Sequence, residues 1–206
     1  MSGGGQLRLS GGRRLLSPGG LAARPTTSRV REAVMNILAP RLNDSRWLDL
    51  CSGSGVMGCE ALQRGARFVV AVDQDPQCIK ITRANLNTVA SDHSPPPEVR
   101  TERRELIGWL RRGWTREPFD IVYFDPPYDQ GLYEPCLAAL AQGNWVHQGS
   151  LVICEHRTNL PPKPGSSWSI LDQRRYGISS VLLLSLPERC HRGGTGSMQP
   201  QTGPTR

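Results

Sequence analysis

Short apolar runs alternate with segments of helical period along most of the chain. Residues 47–50, 68–72 and 120–124 are apolar or β-branched and end abruptly in polar residues, which predicts buried strands. Between the first two, residues 56–64 read as a helix closed by Gly65 at its C-terminal cap. After the second, Pro76 opens a helix that runs to about Asn87. Upstream, Val30, Val34, Ile37 and Leu38 fall at spacings of 4, 3 and 1, one helical face. Thr27 or Ser28 can cap that helix, which is expected to run to about Leu38 and to stop at Pro40. Arg29 and Arg31 lie off its apolar stripe. Further strands are expected over 99–101 and 150–155, helices over 105–112 and 132–142, and a closing hairpin over 168–173 and 177–184. Leu7 and Leu9 alternate with Arg8 and Ser10, so a short strand is expected over 6–10.

Strands alternating with helices imply an α/β domain with a largely parallel sheet, and the closing hairpin implies an antiparallel pair at its edge. Ligands of such sheets bind beyond the carboxyl ends of the strands. Three strand ends carry polar residues here, at 49–55, 73–75 and 125–128, and they are expected to converge on one crevice.

Composition narrows the class. The chain has 206 residues and a mean hydropathy of −0.40, the size and polarity of one globular domain with extensions. No apolar run nears the roughly 20 residues of a membrane-spanning helix, and the first residues lack the apolar core of a signal peptide. Six cysteines form no C-x-x-C pair, which predicts reduced thiols in a cytoplasmic protein and no metal site.

The net charge of +7 is unevenly spread. Residues 1–46 hold eight arginines against Glu32 and Asp44, a charge of +6, whereas residues 47–187 sum to −1. Of the 25 basic residues only Lys80 and Lys163 are lysines. The planar fork of arginine suits phosphate, so a basic extension over 1–45, a catalytic domain over 46–187 and a disordered polar tail over 188–206 are expected.

Gly53-Ser-Gly-Val-Met-Gly58 follows the first core strand, and the acidic Asp73 lies eighteen residues beyond Gly55. That is formally a dinucleotide fingerprint, and it serves a nicotinamide cofactor and S-adenosylmethionine alike. Asp125-Pro126-Pro127-Tyr128 separates them. Pro126 forces Asp125 out of the helical region and both prolines fix their own φ. The turn therefore offers a rigid carboxylate, a carbonyl and an aromatic face, a set that suits a planar amine.

Four segments in order carry a resemblance: Arg24-Pro-Thr-Thr-Ser-Arg-Val-Arg-Glu32, Leu48-Asp-Leu-Cys-Ser-Gly-Ser-Gly-Val-Met-Gly-Cys-Glu-Ala-Leu62, Val72-Asp-Gln-Asp75 and Phe124-Asp-Pro-Pro-Tyr128. Together they resemble the RsmD family of bacterial 16S ribosomal RNA guanine-N2 methyltransferases, from about Leu7 to Leu186. The resemblance implies a class I, Rossmann-like fold with a mostly parallel seven-stranded sheet and a small N-terminal extension. It implies S-adenosylmethionine as cofactor and methyl transfer to guanine N2, at guanine 966. The substrate would be 16S ribosomal RNA or the assembling 30S subunit, and the enzyme a monomer. The implied roles are Asp125, Pro126, Pro127 and Tyr128 for the amine and its base, and Asp49, Ser52, Gly53, Gly55, Asp73, Gln74 and Glu105 for the cofactor. Arg24, Thr26, Thr27, Arg29 and Arg31 would hold RNA. Glu102 is a second candidate beside the adenine.

The chain departs from the family's pattern in having Cys51-Ser52 where Phe-Ala is usual, and Asp73 where Glu is common. Three rival readings remain: a DNA adenine-N6 methyltransferase sharing Asp-Pro-Pro-Tyr, a non-catalytic RNA-binding assembly factor, and an NAD-dependent oxidoreductase.

Overall fold

The structure, a computed structural model, describes residues 7–18 and 27–188. Elements follow in the order α1 (Ser28–Leu42), β1 (Arg46–Leu50), α2 (Val56–Gln63), β2 (Phe68–Asp73), α3 (Pro76–Ala90), β3 (Glu98–Arg103), α4 (Leu106–Arg111), β4 (Phe119–Phe124), α5 (Tyr133–Gln142), β5 (Val146–Arg157), β6 (Ser169–Tyr176) and β7 (Ser179–Ser185). One seven-stranded sheet has the order β3-β2-β1-β4-β5-β7-β6. The first five strands in that order are parallel; β7 runs antiparallel to β5 and β6.

Side chains alternate across the pleat, so each inner strand feeds two cores. Trp47, Val69, Ala71, Ile121, Tyr123, Leu151 and Ile153 face α1, α2 and α3. Leu48, Leu50, Val70, Val72, Val122, Phe124, Val152 and Cys154 face α4 and α5. The order reverses between β1 and β4, which leaves a crevice at their carboxyl ends.

Several elements differ from the sequence reading. Helix α1 runs through exposed Pro40 to Leu42. Proline removes one backbone donor, but the buried Leu42 side chain holds the last turn and Ser45 Oγ donates to the Leu42 carbonyl at 2.7 Å. Helix α3 continues to Ala90 because Leu86, Val89 and Ala90 are buried. Strand β5 begins at Val146 rather than 150, past a register shift against β4. The strand expected over 6–10 is a single antiparallel bridge, Arg8 to Arg14, with Leu7, Leu9 and Leu15 buried in the core beside α1.

Candidate active site

The carboxyl ends of β1, β2, β4 and β5 surround a cleft of about 530 Å³. The glycine turn after β1 forms one wall. Cys51 and Gly53 both sit at positive φ, +60° and +56°. A Cβ built on Gly53 would meet nothing within 4 Å, so this residue opens onto the cleft. The other two glycines of the motif serve packing. At Gly55, with φ +73°, a Cβ would lie 2.8 Å from the Thr82 side chain of α3. At Gly58 it would press on Val69 and Leu86 at 3.1 and 3.2 Å. Of the three, only Gly53 lines the cleft.

Asp73 braces this turn. One carboxylate oxygen accepts from Gly53 N–H at 2.9 Å and the other from Asp75 N–H at 2.9 Å. Asp75 caps α3, accepting from Gln77 and Cys78 N–H at 2.7 and 2.8 Å, and the Cys78 bond chiefly holds its carboxyl below the ordinary range. Asp49 lies beneath the turn, almost wholly buried, and accepts from Gly58 N–H at 3.2 Å. Burial, with Asp73 nearby, pushes its carboxyl up to about 8.

Gln74 and Glu105 both line the cleft. Glu105 also caps α4, accepting from Ile107 and Gly108 N–H at 2.9 and 2.7 Å. Glu102 instead pairs with Arg104 at 3.3 Å and is not among the residues lining the cleft. The Ser52 hydroxyl is buried, borders the cleft and has no hydrogen-bond partner among the described residues. A buried polar atom in that state suits a ligand that supplies the partner.

The opposite wall is Asp125, Pro126, Pro127 and Tyr128, directly after β4. Pro126 is buried, and Pro127 starts a short 3₁₀ turn over Tyr128–Gln130. The Arg157 guanidinium stands 5.4 Å from the centre of the Tyr128 ring. Arg157, Glu155, Tyr123 and Ser179 also line the cleft, none of them anticipated from sequence. They come from β4, β5 and β7 and carry no spacing motif. Their only sequence signal is polar residues at the end of an apolar strand.

The expected RNA-facing residues divide. Arg24 and Thr26 lie outside the described residues. Thr27 lines the cleft and caps α1, its hydroxyl accepting from Val30 N–H at 3.3 Å. Arg29 is exposed. Arg31, by contrast, is buried and pairs with Glu60, because α2 brings the buried Glu60 carboxylate under α1.

The strand order, the antiparallel β7 and the glycine turn at the β1 end define a class I, Rossmann-like methyltransferase fold. The family described as Conserved hypothetical protein 95 matches residues 4–185, and the chain belongs to that family, the RsmD family. It is 34% identical over 182 residues to "Ribosomal RNA small subunit methyltransferase D" of Escherichia coli strain K12, covering 85% of this chain and 88% of that protein. The Haemophilus influenzae protein of the same name is 29% identical, covering 78% and 81%. The solved structure of yhhF from Escherichia coli superposes with a TM-score of 0.75 at 30% identity, over 90% of this chain and all of that one.

Proposed function

We propose that this chain transfers a methyl group from S-adenosylmethionine to the exocyclic N2 of a guanine in small-subunit ribosomal RNA, at the position numbered 966, in the cytoplasm. The observation that carries the reading is one cleft shared by the glycine turn and the Asp125–Tyr128 wall. Family membership supports it, since curated relatives are named ribosomal RNA small subunit methyltransferases.

The bound cofactor supplies an electrophilic methyl on a positively charged sulfur. Ser52 Oγ, the backbone at Gly53, Asp73 and Gln74 would hold it, with Asp49 toward its methionine end and Glu105 toward its adenine. The Ser52 hydroxyl, without a partner among the described residues, and the open space over Gly53 fit such a group.

Guanine N2 is a poor nucleophile, because its lone pair is delocalised into the ring. Asp125 and the Pro126 carbonyl accept its hydrogens and turn the lone pair toward the methyl. Tyr128 stacks on the base, an interaction worth roughly 1–3 kcal/mol. The nitrogen sheds one proton as the new bond forms, and Asp125 accepts it. Because the base must leave its stack to enter the cleft, a loop nucleotide is the favoured target. Basic residues of the N-terminal segment, Arg29 among them, hold the RNA backbone.

The test is methyl transfer from labelled S-adenosylmethionine to 16S ribosomal RNA, to 30S particles and to DNA, followed by mapping of the modified base. Label on guanine N2 of the small-subunit RNA is expected. Label on DNA adenine, or none on RNA or particles, would overturn the reading.

A further inference from the structure

Strands β4 and β5 pair in parallel with Phe124 opposite Cys154. Asp125 directly follows Phe124 at the end of β4, and Glu155 directly follows Cys154 in β5, so the two are neighbours at the mouth of the paired strands. The pleat puts Glu155 on the same side of the sheet as Ile153, the β5 partner of Tyr123. Asp125 and Glu155 line the same cleft, although only 3% of the Glu155 surface is exposed.

Glu155 is held from two directions. Its Oε2 accepts from the Tyr123 hydroxyl at 2.6 Å, and its main-chain carbonyl accepts from the Tyr133 hydroxyl at 2.6 Å. Tyr123 is itself stacked on Trp47, and Tyr133 packs edge-on against Phe124. Burial, with Asp125 next in weight, raises the Tyr133 phenol, which keeps it a donor.

Two adjacent acceptors suit two adjacent donors. Guanine presents such an edge, N1–H beside its N2 amine. Adenine presents a bare N1 acceptor beside its N6 amine, and that lone pair would face a buried carboxylate. We propose that Glu155 is a specificity-determining residue that accepts the N1–H of the target guanine while Asp125 accepts from N2. This rests on the function proposed above and adds how guanine is told from other amine-bearing bases. Sites that hydrogen-bond a substrate group reject analogues lacking it by factors of about 10⁴–10⁵.

The experiment uses the full chain, S-adenosylmethionine and a target RNA carrying either guanine or 2-aminopurine at the modified position. 2-Aminopurine keeps the C2 amine but has a bare acceptor at N1. Wild-type protein should favour guanine in kcat/KM by a factor on the order of 10³ or more. Glu155→Gln still accepts from Tyr123 and can donate to a bare N1, so the guanine to 2-aminopurine ratio should fall at least about tenfold. Its S-adenosylmethionine affinity should be unchanged. The inference is overturned if wild type separates the two bases by less than about tenfold, or if a folded Glu155→Gln variant keeps the wild-type ratio. Should that variant not fold, the wild-type ratio decides alone. If wild type methylates neither base, the proposed function fails, and the inference with it.

Discussion

Arg31 Nε lies 2.9 Å from Glu60 Oε1, and both side chains are inside the protein. Glu60 also accepts from Ser10 N–H and Oγ, at 2.8 and 2.9 Å, and pairs with Arg64. Arg31 Nη2 donates to the Arg8 carbonyl at 2.7 Å. One buried carboxylate thus ties the 7–18 segment, α1 and α2 together. Removing one partner of a buried pair leaves an uncompensated charge, at a cost of about 3–5 kcal/mol. Glu60→Ala should therefore lower the unfolding free energy by about that amount in denaturant titrations. A loss below about 1 kcal/mol would mean that the cluster is solvated.

Asp49 makes stability depend on pH. Burial pushes its folded carboxyl up to about 8 from the ordinary 3.8, so the folded state holds a proton that the unfolded chain has lost across that interval. Its contribution is fully present below the unfolded value and is lost as pH rises through about 8. Asp49→Asn should flatten the melting temperature across that window and raise it at pH 8. A positively charged ligand near Asp49 would draw the proton off. Calorimetry in buffers of different ionisation enthalpy should then show proton release when S-adenosylmethionine binds at pH 7.

Asp125→Ala should reduce turnover by orders of magnitude and leave S-adenosylmethionine affinity nearly unchanged, since Asp125 belongs to the wall opposite the glycine turn. Single-turnover methylation with calorimetry as control reads both. More than a tenth of wild-type rate would remove Asp125 from the chemistry.

For Asp73 the roles reverse. Asp73→Ala withdraws the acceptor for Gly53 N–H and one of the carboxylates proposed to hold the cofactor. Cofactor affinity should fall by roughly 1.5–3 kcal/mol, the scale of hydrogen bonds to a charged group. Calorimetry that finds no change would refute the assignment.

Arg29 and Arg157 are exposed, and Arg157 is on the cleft wall. If each takes one RNA phosphate, replacing both with alanine should reduce the log-log salt slope of RNA binding by roughly 1.4. Fluorescence titrations from low to high salt would measure it. An unchanged slope would mark both as solvated surface.

Periodicity and punctuation were enough for the element order, the α/β class, the antiparallel closing pair and the three polar strand ends. These depend on near neighbours: apolar runs bury as strands, Thr27 and Asp75 cap, and Pro76 opens a helix. The glycine turn and Asp-Pro-Pro-Tyr were legible for the same reason, since each is a local backbone constraint. Tertiary structure decided what each polar group meets. Arg31 looked like surface charge until Glu60, 29 residues on, arrived beneath it. At Gly55 and Gly58 it is α3 and the β2 side chain of Val69 that leave no space for a Cβ. Glu155 and Arg157 carried no motif. They join the cleft because β5, about 30 residues after β4, pairs beside it, and no local pattern encodes which distant strand becomes a neighbour.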